Sequence, residues 1–344
     1  MRVGLVYDPV YLKHDTGQHV ENARRLEAVI SYLEQTGLSQ QLMLIKPRAA
    51  SIEELSLVHH ERYISYIQDV AQKGGGWLDA DTVMSPDSYE AAIHAAGGGI
   101  KATEVVIGGE VDSAFALVRP PGHHATSERA MGFCLFNNVA IAAKYALAEY
   151  KLERILIIDF DVHHGNGTQA AFYDNPNVLY ISTHQYPFYP GTGSLEEVGS
   201  GAGKGTTINI PLPAGCGDAE YRQVFEQIVV PAASRFSPRF ILVSAGYDLH
   251  WVDNIALMQV STTGFAQMVR IIKGLADELC WGHLVFCLEG GYHLRALSSS
   301  VRATFDVLLG NTNIEDPLGQ SPQRFAAPSL APLIKEIKGM HNLP

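Results

Sequence analysis

The sequence is poor in cysteine and has no cysteine pair at a metal-binding spacing. Its 344 residues include four cysteines, none of them in a CxxC pattern: Cys134, Cys216, Cys280 and Cys287. This scarcity argues against a disulfide framework and against a structural zinc knuckle. We therefore expect four reduced thiols, most of them buried.

The chain also lacks an excess of positive charge. It has 25 Lys and Arg residues against 36 Asp and Glu residues, a formal net charge of −11, and its basic residues are scattered along the sequence. Without a basic stripe the chain is poorly suited to bind a phosphate backbone, so we predict no direct nucleic-acid partner. An acidic surface does tolerate a basic substrate.

Long hydrophobic runs are missing as well. No segment approaches the roughly 20 apolar residues that a membrane-spanning helix needs. The opening stretch MRVGLVYDPV reaches Asp8 before an apolar run of signal-peptide length develops. We expect no membrane partner and a cytoplasmic location.

What the sequence does contain is an alternation of strand-length and helix-length patterns. Apolar residues make up 47% of the chain, and no low-complexity linker divides it, so we predict one domain over residues 1–344. Strand-length apolar runs begin near residues 2, 113, 154, 178, 206, 239 and 283. Helical periodicity follows at 21–37, 137–150, 219–236, 262–280 and 294–309. This order predicts a doubly wound α/β sandwich with a parallel sheet.

Four of the predicted strands run into polar residues. The sets are His123 and His124; Asp159, Asp161, His163 and His164; Tyr247 and Asp248; and Tyr292. A single Asp or His at a strand end is usually a solvated cap or turn residue. In an open parallel sheet, however, ligands bind beyond the carboxyl ends of the strands, so the four sets are expected to converge on one site. His184 ends a further strand and is a candidate for the same pocket.

The carboxylates and imidazoles in these sets predict a metal site. Asp159, Asp161 and His163 lie two residues apart, which places their side chains on one face if the strand stays extended. Together with Asp248, the pair Asp161 and His163 supplies three ligands and leaves a fourth position open, as in a catalytic zinc site. Asp159 is better placed to accept a hydrogen bond from a histidine and to fix its tautomer.

The adjacent histidines and the tyrosine predict amide chemistry beside that metal. His123 and His124 follow a stiff Arg-Pro-Pro-Gly leader, and they can act as the base for a water molecule and the acid for an amine leaving group. Tyr292 follows a Gly-Gly hinge and can donate its hydroxyl to a substrate carbonyl oxygen.

The motifs RPPGHH, GFCLFNN, DFDVHHGNGTQ, YPGTG, SAGYD and LEGGY, in this order, resemble the zinc-dependent histone deacetylase superfamily. That superfamily includes bacterial deacetylase-like amidohydrolases and acetylpolyamine amidohydrolases. The resemblance runs from GQHVENARRL to the last predicted helices. It implies an arginase-like three-layer sandwich with a central eight-stranded, mostly parallel sheet and helices on both faces. It also implies hydrolysis of an N-acetyl amide with one Zn²⁺ per chain, and leaves iron(II) open as the ion used in the cell.

The resemblance assigns a role to each matched residue. It implies zinc on Asp161, His163 and Asp248, with His124 as the principal general base and acid. His123 becomes the electrostatic partner of His124, oriented by Asp159, and Tyr292 becomes the donor to the carbonyl oxygen. The family further implies a structural potassium ion on Asp159, Asp161, His163 and Ser182.

The substrate-binding residues also follow from the resemblance. Gly132, Phe133 and Tyr189 match positions that line the acyl-lysine tunnel. Polyamine-selective members place an acidic residue in the loop after the third zinc ligand, and this chain has Ile255 at that point, with Asp253 close by. We therefore expect acetyl-lysine or a related N-acylated amine as the substrate, with acetylpolyamines as the alternative. A homo-oligomer remains open.

Details of the motifs narrow the subgroup. Asn166 in HHGNGTQ and the LEGGY ending resemble the class II branch, and Tyr292 separates this chain from the vertebrate class IIa group, which has histidine there. Two departures stand out. Val20 occupies the place of a common proline after His19, and His293 the place of a frequent asparagine after Tyr292.

Two readings from other functional classes compete with the amidohydrolase. A manganese ureohydrolase of the same fold needs further aspartates for a two-metal cluster, and the His-His pair with Tyr292 argues against it. A non-catalytic module that binds acylated ligands has no need for catalytic residues, yet every catalytic position is filled in this sequence.

Overall fold

The apolar runs of the sequence form one parallel sheet in the computed structural model of the chain, which describes residues 1–322, 326 and 329–344. The predicted domain also includes residues 323–325 and 327–328, which lie outside the described residues. The strands are β1 (Val3–Val6), β2 (Met43–Ile45), β3 (Gly76–Trp77), β4 (Val83–Met84), β5 (Ser113–Ala116), β6 (Ile155–Asp159), β7 (Val178–Gln185), β8 (Thr207–Leu212), β9 (Phe240–Ala245) and β10 (Leu284–Leu288).

Helices alternate with these strands. They are α1 (Arg24–Gln35), α2 (Ile52–Leu55), α3 (Glu61–Gln72), α4 (Ser88–Ile107), α5 (Asn138–Glu149), α6 (Asn166–Phe172), α7 (Asp218–Val224), α8 (Val230–Phe236), α9 (Thr262–Leu279), α10 (Leu294–Leu309) and α11 (Ala331–His341). Among the described residues, no helix has the length and apolar character that crossing a membrane demands.

The main sheet contains eight of the strands that the structure describes, in the order β2-β1-β5-β10-β9-β6-β7-β8, and every pairing in it is parallel. The α/β class and the eight-stranded sheet are thus confirmed. The seven apolar runs of the sequence form β1 and β5 to β10. The remaining strand, β2, lies at the edge with Met43 and Leu44 exposed, so it carries little of the apolar signal that marks a buried strand.

Both faces of the sheet are covered. Every residue of β5, β6, β9 and β10 is buried, as expected for strands with helices on either side. One group of helices contains α1, α10, α9 and α7, which contact one another in that order, and the other contains α3, α4, α5 and α6. The four cysteines are free and buried, as the sequence predicts.

A buried ionic network joins the N-terminal segment to the carboxyl edge of the sheet. Glu21 accepts hydrogen bonds from Arg119 Nη2 at 2.9 Å and from Arg25 Nη1 at 3.1 Å, and all three side chains are fully buried. Burial alone would raise the pKa of Glu21, but the Arg119 guanidinium outweighs it and holds that pKa at about 2. The network fixes Arg119, the first residue of the RPPGHH motif.

Arg25 extends the same network to the loop after β10. Its Nε donates to the Gly291 carbonyl at 2.7 Å, and its Nη2 donates to the Glu289 carbonyl at 2.5 Å. Glu21 therefore connects the loop after β5 to the loop after β10 through two arginines, one for each loop.

We expect Glu21→Gln to lower the free energy of unfolding by about 3–5 kcal/mol, because it leaves two guanidinium groups buried without their counter-charge. Urea unfolding at pH 7 measures this change. Glu226→Gln is the matched control, because Glu226 forms an exposed ion pair with Arg222 and such pairs contribute roughly 0–1 kcal/mol. Equal destabilisation by the two variants would contradict the role given to the network.

Candidate metal centre and active site

The four polar strand ends meet at the centre of the sheet. The strands that carry them, β5, β10, β9 and β6, are consecutive neighbours in the sheet order. Because they are parallel, their carboxyl ends lie along the same edge. The convergence expected from the sequence is therefore observed, and it gathers side chains from parts of the chain that lie far apart in sequence.

Two carboxylates and one imidazole form a compact group at this edge. His163 Nδ1 lies 3.0 Å from Asp161 Oδ1 and 3.3 Å from Asp248 Oδ2. The ligand-type atoms of the three residues lie within 4.8 Å of one another, and all three residues are buried. β6 ends at Asp159, so the extended strand assumed from the sequence does not reach Asp161 or His163. A turn aligns them instead, in which Asp161 Oδ1 accepts the His163 N–H at 2.9 Å.

The group has the donors and the electrostatics that a divalent cation requires. Asp248 Oδ2 is buried and accepts no aligned hydrogen bond, although His163 Nδ1 lies 3.3 Å away; this is a costly state for a carboxylate unless an ion neutralises it. Burial and the neighbouring Asp161 carboxylate raise the pKa of Asp248 to about 6. Burial alone would lower the pKa of His163, but Asp161 and Asp248 raise it to about 9. The site thus favours positive charge, which a bound metal ion supplies in place of a proton.

The backbone of the loop after β10 packs closely against these carboxylates. The Gly290 N–H donates to Asp161 Oδ2 at 2.8 Å, and a Cβ atom at residue 290 would lie 2.2 Å from Asp248 Oδ2. Any residue larger than glycine would displace that carboxylate. The donor set and the distances between its atoms fit a metal ion.

A second group of ligand-type atoms, from His123, Cys134 and Glu289, lies close by. Its polar atoms already have protein partners. Glu289 Oε2 accepts the N–H groups of Gly122 and His123, at 2.7 and 3.1 Å, and Cys134 Sγ donates to the Gly132 carbonyl at 3.3 Å. This second group therefore holds backbone in place, and the site with the orphaned carboxylate oxygen is the candidate metal centre.

His123 is held as an imidazolium. Its Nδ1 lies 3.1 Å from Asp159 Oδ2, and its Nε2 lies 3.8 Å from Asp161 Oδ1. Burial opposes the charge, but the two carboxylates raise the pKa of His123 to about 10. Asp159 also accepts a hydrogen bond from the Tyr180 hydroxyl at 3.1 Å, which fixes the carboxylate beside the ring.

His124 is held neutral beside that charge. The two rings lie 4.0 Å apart between centroids. Burial and the adjacent His123 charge keep the pKa of His124 well below its usual range. Asn166 Oδ1 lies 2.8 Å from His124 Nδ1, and Asn166 Nδ2 donates to the His124 carbonyl, so Nδ1 carries the proton and Nε2 keeps a free lone pair.

The imidazoles and the phenol face one cavity of about 240 Å³. The lining residues are Asp81, Pro121, His123, His124, Gly132, Phe133, His163, Phe188, Tyr189, Ile255, Gly290 and Tyr292. Every residue that the resemblance assigns to substrate binding is among them. Burial raises the pKa of Tyr292 well above its usual value, so the phenol keeps its proton.

Gly132 shapes the cavity wall in a way that only glycine allows. Its φ is +56°, and a Cβ atom there would lie 2.3 Å from His124 Cδ2. Phe133 follows with φ of 69°, an unfavourable conformation for a bulky residue, and its N–H donates to Thr82 Oγ1 at 3.1 Å. The turn brings the Phe133 ring edge-on to Tyr292, with 5.8 Å between centroids.

The remaining predicted residues lie beneath the cavity. Asp159 and Ser182 are paired across β6 and β7, which places Ser182 beside the candidate metal centre. His184, a candidate for the pocket, does not line it. Its ring is fully buried, with Nδ1 2.9 Å from Ser182 Oγ and Nε2 2.9 Å from the Gly193 carbonyl, so it packs inside the protein and not at the cavity wall.

Three residues of the site were missed in the sequence. Glu289 anchors the backbone of His123, and only its place in LEGGY distinguishes it from a solvated strand-end glutamate. Phe188 stacks on His163 at 5.4 Å, and Asp81 lines the cavity from the hairpin of β3 and β4. The adjacent aromatics of YPFYPGTG were a usable signal for Phe188, whereas no local pattern marks Asp81.

We expect protein stripped of metal to bind one Zn²⁺ per chain. Asp248→Asn should weaken this binding by more than about 100-fold, because losing a metal ligand costs more affinity than losing a residue that only hydrogen-bonds to a ligand. Competition titration with a chromophoric chelator measures the affinity. Asp277→Asn is the control, since Asp277 lies in an exposed ion pair on α9. Unchanged zinc affinity in Asp248→Asn would rule out this centre.

Comparisons with known proteins agree with the geometry. Residues 19–308 match the family description "Histone deacetylase domain". The chain is 41% identical to "Histone deacetylase 10, chloroplastic" of Oryza sativa, over 96% of this chain and 79% of that protein. It is 43% identical to "Probable deacetylase" of Archaeoglobus fulgidus, over 85% of this chain and 82% of that protein.

A solved structure extends the likeness to the whole fold. The crystal structure of the HDA15 HD domain superposes with a TM-score of 0.90 at 35% sequence identity, covering 99% of this chain and 94% of the other. The family match, the identity to deacetylases and the shared fold therefore establish that this chain belongs to the histone deacetylase family, as a hydrolytic deacetylase.

Proposed function

We propose that the chain is a zinc-dependent amidohydrolase that removes the acetyl group from an N-acetylated amine, with acetyl-lysine as the preferred substrate class. One observation carries the proposal. Two buried carboxylates and one imidazole, grouped as ligands for a cation, lie beside a neutral imidazole and a protonated phenol that face one cavity. That combination serves the cleavage of an amide, which needs a nucleophilic water, a proton for the amine and a donor for the carbonyl oxygen.

The metal-binding residues are Asp161, His163 and Asp248. When bound there, a zinc ion supplies Lewis acidity and lowers the pKa of water from 15.7 towards about 7. The same nitrogen and oxygen donors also suit iron(II). We further propose a structural potassium ion beside this centre, held by Asp159, Asp161, His163 and Ser182.

His124 is the proposed base and acid. Its neutral ring presents Nε2 as an acceptor because Asn166 holds the other nitrogen as a donor. His124 takes a proton from the attacking water and returns it to the amine nitrogen as the C–N bond breaks. His123 stays protonated beside Asp159. Its positive charge disfavours a second positive charge on the adjacent His124, so a protonated His124 gives its proton up readily.

Tyr292 is the proposed donor to the developing oxyanion. Its ring packs edge-on against Phe133 and faces the same cavity as His124. A phenol whose pKa is raised by burial remains a donor at neutral pH and stabilises negative charge on the carbonyl oxygen.

Aromatic walls above these groups select an extended chain. Phe133, Phe188 and Tyr189 surround the cavity, and the Tyr189 ring stands edge-on to His124 at 5.2 Å. Such walls bind methylene groups by burying apolar surface. Tyr189 is 37% exposed, so the walls open to solvent, where the charged or peptide end of the substrate remains.

Acetylpolyamines are a second candidate, favoured by Asp81. This half-buried carboxylate lines the cavity, and burial together with the neighbouring Asp79 raises the pKa of Asp81. A cationic substrate group would relieve that unfavourable charge. Ile255, the apolar residue in the loop after Asp248, offers no such attraction and favours acetyl-lysine.

A turnover screen tests the proposal. We expect zinc-loaded protein to release acetate from acetyl-lysine peptides, and N-acetylputrescine and N-acetylspermidine are assayed in parallel as the alternative substrates. Removal of the metal by a chelator should abolish the activity. Tyr292→Phe is expected to lower kcat by about 100- to 1,000-fold, because an oxyanion donor is lost. Its KM and zinc content should remain near those of the wild type.

Tyr66→Phe provides the matched control, since Tyr66 is a half-exposed tyrosine on α3. Its kcat should equal that of the wild type. Zinc-loaded protein that binds acetylated peptides without turnover would contradict the proposal and favour a binding module. A requirement for two manganese ions would favour a ureohydrolase.

Asn166, the hydrogen-bond partner of His124, provides a test of how the activity depends on pH. Asn166→Asp places a carboxylate beside Nδ1, which stabilises the protonated ring and raises the pKa of His124. A base must be unprotonated, so the acid limb of the kcat/KM profile is expected to move to higher pH by about 1–2 units. Asn177→Asp adds the same charge at an exposed loop position and should leave the profile unchanged. An acid limb that stays in place would exclude His124 as the base.

A further inference from the structure

The segment between Asp248 and α9 forms a loop that reaches towards Tyr292. The Trp251 N–H donates to the Val260 carbonyl at 2.9 Å, and the Val260 N–H donates to the Leu249 carbonyl at 3.2 Å, which closes the base of the loop. Asp253 lies within it and is only 5% exposed. A buried carboxylate needs partners, so its contacts show what it does.

Both oxygens of Asp253 are directed at backbone. Oδ2 accepts the N–H of Tyr292 at 2.6 Å and the N–H of His293 at 2.9 Å. Oδ1 accepts the N–H of Ile255 at 3.3 Å. One side chain thus joins the loop that carries Ile255 to the loop that carries Tyr292. Asp253 lines a shallow groove next to the catalytic cavity, but it is not among the residues that line the cavity itself.

The opposite side of the Tyr292 loop is held by positive charge. Arg25 donates to the carbonyls of Glu289 and Gly291, and its guanidinium lies 4.9 Å from the centroid of the Tyr292 ring. The carbonyls of this loop therefore contact a cation, while its N–H groups contact an anion. Charge-assisted hydrogen bonds of this kind are stronger than neutral ones.

These contacts matter because the loop has little rigidity of its own. Tyr292 follows two glycines, and Gly291 has φ of +115°, a conformation that glycine adopts at no steric cost. Tyr292 also precedes α10, whose first residue is Leu294. The place of the phenol is thus determined by what binds residues 289–293 from outside, and Asp253 binds the N–H of Tyr292 itself.

We propose that Asp253 is a positioning residue that fixes the Tyr292 hydroxyl for catalysis by accepting the backbone N–H groups of Tyr292 and His293. In this proposal Asp253 does not contact the substrate. The inference rests on the proposed function of Tyr292 as the oxyanion donor. The role differs from that of an acidic gatekeeper, by which we mean a residue that attracts the distant ammonium group of a polyamine substrate. Because the Asp253 carboxylate accepts three backbone N–H groups, we expect it to affect every substrate alike.

The first test is Asp253→Ala. We expect kcat to fall by about 10- to 100-fold, the usual cost of a small misplacement of a catalytic group. The loss should be the same for an acetyl-lysine peptide and for N-acetylspermidine, with KM and zinc content unchanged. A gatekeeper would instead raise KM for N-acetylspermidine alone, and that result would overturn the inference.

A conservative variant separates positioning from folding. In Asp253→Asn, the amide oxygen can still accept the N–H groups of Tyr292 and His293, while the amide nitrogen faces the Ile255 N–H. We expect kcat within about 10-fold of the wild type and above that of Asp253→Ala, since one hydrogen bond is lost and two remain. Asn254→Ala, an exposed neighbour in the same loop, should leave kcat and KM unchanged.

A double-mutant cycle asks whether Asp253 acts through the phenol. In the Tyr292→Phe background, Asp253→Ala should lower kcat by less than about 3-fold further, because coupled residues are not additive. Full additivity of the two losses would overturn the inference and indicate a general structural role.

Hydrogen–deuterium exchange tests the inference without turnover. Asp253→Ala should speed amide exchange in residues 289–293, whereas Asn254→Ala should not. An inactive wild type would refute the proposed function alone, because the exchange measurement still reports on the loop. Unchanged exchange in Asp253→Ala would refute the positioning role, whatever the activity.

Discussion

Asp159, Asp161, Asp248 and Glu289 place four carboxyl groups at the buried centre of one sheet edge, away from bulk solvent. Such a concentration of negative charge is stable only if each group finds a counter-charge or a donor. Asp159 has the imidazolium of His123, and Glu289 has backbone N–H groups. Asp161 and Asp248 share one histidine, and Asp248 Oδ2 accepts no aligned hydrogen bond from it, which is the electrostatic reason to assign a cation there.

The loops around this charge are fixed by a frame of buried ionic contacts. Glu21 pairs with Arg119 and Arg25, and Arg25 binds the carbonyls beside Tyr292. Asp253 binds the N–H groups of the same loop from the other side. The loops after β5 and β10 are thus each held by a charged side chain from a distant segment. The catalytic groups keep their positions although the loops that carry them have little secondary structure.

The sequence predicted the parts of this arrangement that have a local signal. Strand-length apolar runs located β1 and β5 to β10, and the polar residues after four of them located the cavity, because parallel strands bring their carboxyl ends together. The contacts of Glu21 with Arg119, of Glu289 with Gly122 and of Asp253 with Tyr292 had no such signal, since each joins segments far apart in the chain. The sequence left His184 as a candidate for the pocket, because a histidine near a strand end points towards the pocket or into the packed layer according to its register.

Anomalous diffraction at the zinc edge, from crystals of the zinc-loaded protein, tests the central claim most directly. The account predicts one ion bound by His163 Nδ1 and by one carboxylate oxygen from each of Asp161 and Asp248, at about 2.0–2.2 Å. An ion bound at His123, Cys134 and Glu289, or one that leaves Asp248 uncoordinated, would contradict it.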